Sequence, residues 1–105
     1  MPGSIPERDW KILRDLKPAL LERFCQRILH EVVSQATHPS QTAHERYLAV
    51  YGLIERRDRD IADAFNGLSR SRAMLCIMYL RRLGLLTDDE LGRFSEETKA
   101  ATIYK

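Results

Sequence analysis

Trp10, Leu13, Leu16, Leu20, Phe24, Ile28 and Val32 recur at steps of three and four along the first third of the chain, the spacing of one face of an α-helix. The stripe continues to Ala36, and thirty residues of straight helix span about 45 Å, longer than a compact domain of this size. Pro18 lies inside the stripe, where a missing N–H and a ring that clashes with the preceding turn break or kink a helix. Two pieces are therefore expected, over about residues 6–16 and 18–36. The competing arrangement is one long kinked helix whose N-terminal part reaches over a second subunit. Ser4 and Glu7 have capping-box spacing and put the start near residue 5.

Thr37-His38-Pro39-Ser40-Gln41 reads as the turn where the chain reverses, because Pro39 disfavours helix at His38. Thr42 and Glu45 form a second capping box, followed by Tyr47, Tyr51, Ile54, Ile61 and Phe65 on one side of a helix over 43–66 that Gly67 can end. Ser69 can cap a third helix, 69–83, whose Ala73–Leu80 run leaves hardly any polar face and marks it as central. Thr87 and Glu90 cap a last helix over 88–98. The tail from Ala100 to Lys105 offers only Ile103 and Tyr104 as anchors, so it frays or docks on a neighbour. Fourteen Leu and thirteen Arg against three Val favour the same secondary structure throughout. The expected fold is one all-α domain over 1–105, a compact bundle of four to five helices with no β-sheet.

The residues argue against several functions. Helical carboxylate-bridged metal sites need Glu three residues before His, but Arg27, Gln35 and Gln41 precede His30, His38 and His44. Cys25 and Cys76 form no Cys-x-x-Cys pair and read as reduced core fillers. Cys25 and His30 point about 140° apart on a helix, which excludes them as a local catalytic dyad. Five scattered Gly make no phosphate loop. The longest apolar run, eight residues, falls far short of the ~20 that cross a bilayer. Met1–Pro6 lacks the pattern of a secretory leader, and a cytoplasmic location without membrane attachment is expected. Neither a cofactor nor catalysis is expected.

Charge is distributed unevenly. Residues 56–82 carry Arg56, Arg57, Arg59, Arg70, Arg72, Arg81 and Arg82 against three Asp, whereas 83–105 is net acidic. These arginines are candidate anion or nucleic-acid contacts, although Arg56–Asp60, Arg59–Asp63 and Glu55–Arg59 also have the spacing of ion pairs on a solvated face. Ile61-Ala62-Asp63-Ala64-Phe65-Asn66-Gly67-Leu68-Ser69-Arg70-Ser71, followed by Ala73, Ile77, Leu80 and Gly84-Leu85-Leu86, resembles the two core helices of bacterial winged-helix repressors. The resemblance covers 61–86, a quarter of the chain. It implies a recognition helix opened by Ser69, with Arg70, Ser71 and Arg72 as its groove-facing first turn. After Leu86 the sequence caps a helix where that family forms a β-hairpin wing.

Two further features stand out. Asp58 occupies a position between Ile54 and Ile61 where an apolar residue is expected, which predicts a partly buried ion pair with an arginine. The third helix is apolar on nearly every side, so Met74, Met78 and Tyr79 are candidate interface residues. The sequence thus reads as a non-catalytic protein-interaction or regulatory module, homodimeric through the third or the N-terminal helix. A nucleic-acid-binding protein using the arginines and the 61–86 segment is the alternative.

Overall fold

The computed structural model describes residues 4–104 and is all-α, with no strand among them. Met1–Gly3, part of the stretch read for a leader, and Lys105 of the tail lie outside the described residues. Helix α1 spans Glu7–Ala36, α2 Ala43–Phe65, α3 Ala73–Arg82, α4 Asp88–Gly92 and α5 Glu96–Ala101, with a 3-10 turn over Arg70–Arg72. No helix among the described residues is long and apolar enough to cross a membrane.

The expected break at Pro18 does not occur, and α1 is one helix of 30 residues. Pro18 lies on the exposed side, so the Arg14 carbonyl that loses its helical partner is left to water. Leu13, Leu16, Leu20, Phe24 and Ile28 are buried on the other side and hold the helix through that point. Ser4 is not the cap; Pro6 occupies the N-cap position without a side-chain bond. The Thr42 box forms as expected, with Glu45 N–H donating to Thr42 Oγ1 at 3.1 Å and Thr42 N–H to Glu45 Oε1 at 2.8 Å.

α1 and α2 form a helical hairpin, and α3 packs against its base. Phe24 and Phe65 stack there at 6.4 Å between ring centroids. Ala73, Cys76, Ile77 and Leu80 bury one side of α3 in the same core. The end of α3 is a Schellman motif, in which Leu85 N–H donates to the Leu80 carbonyl and Gly84 N–H to that of Arg81, both at 3.0 Å. Gly84 takes the left-handed conformation this requires, φ +67°.

The predicted last helix is two, α4 and α5, because Ser95 starts a new helix by accepting from Thr98 N–H. Polar contacts fasten this segment to the hairpin base. Asp9, fully buried, accepts from Ser95 N–H at 3.1 Å and from the hydroxyls of Ser95 and Thr98. Burial alone raises the Asp9 pKa, but the Ser95 and Thr98 bonds outweigh it and hold the carboxyl below its ordinary value. Arg23 makes a forked pair with Glu90 at 2.8 and 3.0 Å, and Arg27 donates to the Leu83 and Gly84 carbonyls.

The Arg23 bond, opposed by burial and aided by Thr87, holds the Glu90 carboxyl at about 2 against an ordinary 4.5. A group depressed on folding stabilises the fold above its ordinary pKa and loses that contribution as pH falls through the folded value. The Glu90 contribution, at most roughly 3 kcal/mol, is therefore present at neutral pH and lost between pH 4.5 and 2. Urea titrations of wild type and Glu90→Gln should show a stability gap that closes across that window. A gap independent of pH would contradict the pairing.

Candidate interaction surface

The core occupies only one end of the hairpin. No residue of α1 beyond Ile28 and none of α2 before Leu53 is buried. α3 has 10 residues against 30 and 23 in the hairpin helices, so at 1.5 Å per residue it covers about 15 Å of a hairpin roughly 45 Å long. The all-α helices are as expected, but they are less compactly arranged than a globular chain: the molecule measures 52 × 25 × 23 Å with a radius of gyration of 16.3 Å. A compact chain of this length has about 13 Å.

The uncovered part of the hairpin is apolar. Leu29 and Val33 on α1 and Tyr47, Leu48, Tyr51 and Ile54 on α2 are between 44 and 64 % exposed. At 100° per residue, positions 47, 51, 54, 58 and 61 lie within about 80° of arc, one stripe on α2. Between the helices is a cavity of about 200 Å³, lined by Cys25, Ile28, Leu29, Ile54, Arg57, Asp58 and Ile61. Two shallower hollows of about 300 Å³ each continue toward the tip. One is bounded by Ala36, Ala43, Arg46, Tyr47 and Val50, and the other by Leu29, His30 and Val33. Exposed apolar surface of this extent marks a binding face more often than a free monomer surface.

Met74, Met78 and Tyr79 prove less exposed than expected of an interface. All three are half-buried, with Met74 and Tyr79 packed against the core. The short α3 is largely absorbed by the base it sits on, with Leu75 its one exposed large apolar side chain; Ile103 and Tyr104 are exposed in the tail, and the other six fall on the longer helices.

Asp58 is corrected likewise. It is exposed and makes no ion pair among the described residues, because its side chain borders the open cavity and no core. The cross-helix pair one residue away is Arg57, which grips Glu31 through two bonds of 2.9 Å and reaches Asp60 at 3.0 Å. The Arg57 hydrogen bond lowers the Glu31 pKa against a smaller opposing effect of burial, and the Glu31 bond raises that of Arg57.

The other candidate arginines divide in two. Arg70 is folded back onto the N-terminal segment, bonding the Ile5 carbonyl at 3.1 Å and the Glu7 carboxylate. Arg81 bonds the Lys99 carbonyl at 2.7 Å and Thr102 Oγ1 at 2.9 Å, tying α5 to α3. Arg56, Arg59, Arg72 and Arg82 are exposed and make no ion pair among the described residues. The wing implied by the repressor resemblance has no counterpart, since the chain after Leu86 forms α4 and α5.

Among the described residues no three His, Cys, Asp or Glu side chains are grouped to hold a metal. Cys25 is half-buried and Cys76 buried, and burial pushes the Cys76 thiol up. The chain matches no protein-family model, no curated protein and no solved structure.

The sequence pattern places Tyr47, Tyr51 and Ile54 on one side of a helix without saying what covers it, and does not single out Leu29, Val33 and Leu48. The overlooked indication was length. Helices of these lengths, with one ten-residue apolar partner, leave a substantial part of the hairpin without a third layer.

Proposed function

We propose that the protein is a non-catalytic helical interaction module that works as a homodimer through the apolar face of the α1–α2 hairpin. The observation that carries this reading is that Tyr47, Tyr51 and Ile54 of one α2 stripe are exposed beside Leu29 of α1, on the end of the hairpin that no other element covers. Isologous pairing suits such a face, because a twofold axis lets one patch cover its own copy. The uncovered end, about 19 Å of α2 once the 15 Å beside α3 is taken off and two helices, roughly 20 Å, wide, offers about 400 Å² per copy, half of the ~800 Å² per partner of stable interfaces and in keeping with a dimer that dissociates on dilution.

Sedimentation equilibrium tests the reading. The expected result is a species of twice 12.2 kDa that dissociates on dilution. A mass of 12.2 kDa at every accessible concentration would overturn it. Nucleic-acid binding is the weaker reading, because Arg70, central to the presumed recognition turn, already has protein partners.

A further inference from the structure

The exposed stripe of α2 is symmetric in its spacing. Tyr47, Tyr51, Ile54 and Asp58 follow one another at steps of four, three and four, so an antiparallel copy aligned on the midpoint sets Tyr51 opposite Ile54 and Tyr47 opposite Asp58. Antiparallel apolar stripes of this period mesh as knobs into holes. We propose that two copies pair through α2 in this register, with the Tyr47 ring of each entering the cavity of the other and its phenol donating to the Asp58 carboxylate. This register rests on the homodimer reading above.

Three observations converge on it. The cavity of about 200 Å³ is walled by Cys25, Ile28, Leu29, Ile54 and Ile61, with Asp58 at its border. That is room for one aromatic side chain, with an acceptor where a phenol needs one. Tyr47 is 64 % exposed, so most of its ring is left uncovered within its own monomer. Asp58 interrupts an apolar stripe yet has no ion-pair partner among the described residues, which a donor brought by a second copy explains. In the same register α2 of the second copy runs parallel to α1 and fills the groove between the hairpin helices, where Leu29 flanks it.

A double-mutant cycle on the dimer dissociation constant tests the register, using Tyr47→Phe, Asp58→Ala and the pair. Both side chains are exposed in the monomer, so the variants keep the fold, which circular dichroism checks. The phenol–carboxylate bond occurs twice per dimer, and a coupling of about a hundredfold is expected between the two positions. The double variant should therefore bind no more weakly than the single ones. Additive effects in a dimer that persists would overturn the register and leave the homodimer standing. A wild type that remains monomeric overturns both.

Discussion

Asp9→Ala should lower the melting temperature by on the order of 15–30 °C. Three donors converge on the buried carboxylate: the Ser95 N–H, the Ser95 hydroxyl and the Thr98 hydroxyl. Removing the acceptor leaves those groups unpaired in a site closed to water, at a cost of about 3–5 kcal/mol. In a domain of about 100 residues each kcal/mol shifts melting by about 4–8 °C. Asp9→Asn retains one carbonyl acceptor and should fall between wild type and alanine. The damage should also be local, with amide exchange rising first in α4 and α5, because Asp9 is a link between those helices and α1. Melting within a few degrees of wild type would show that the C-terminal segment is held by other means.

Ile54→Glu should abolish dimerisation without unfolding the monomer. Ile54 is 44 % exposed within one copy, so a glutamate there reaches solvent and leaves the core intact. In the dimer the same residue lies beside the twofold axis. Each substitution enters the interface twice, removing the burial of the 44 % of Ile54 still exposed, roughly 1 kcal/mol per side chain, and adding a desolvated charge with no partner. A loss of about 3 kcal/mol or more follows, at least a hundredfold in the dissociation constant. Sedimentation equilibrium of the variant should return 12.2 kDa where the proposed wild-type dimer should return twice that mass. Met78→Glu on α3 serves as the comparison and should leave the dimer in place. An Ile54→Glu variant that still dimerises with wild-type affinity would place the interface elsewhere.

Much of the fold is legible because its cues are local. The apolar period fixes the helices, Thr42 and Thr87 announce their starts through capping boxes, and Gly67 and Gly84 mark stops by their left-handed backbone. The departures arise where tertiary contacts decide. Pro18 is harmless because it faces solvent, a fact of packing that no local rule contains. Ser95 starts its own helix while Asp9, 86 positions away, takes its N–H and hydroxyl; the serine followed by Glu96 and Glu97 was the local hint. Asp58 was rightly singled out as out of place in an apolar stripe, but the stripe faces open space and not the core. Hydrophobic periodicity gives the direction of a face without saying what covers it. The candidate surface is therefore visible in the sequence as a pattern but not as an uncovered face.

The central claim is that a second copy covers the hairpin face, and isotope-filtered NMR on an equimolar mixture of labelled and unlabelled protein tests it most directly. The account predicts intermolecular NOEs from the methyl groups of Leu29 and Ile54 to the rings of Tyr47 and Tyr51. Intermolecular NOEs confined to Met74, Met78 and Tyr79, or none at concentrations where the dimer should be populated, would contradict it.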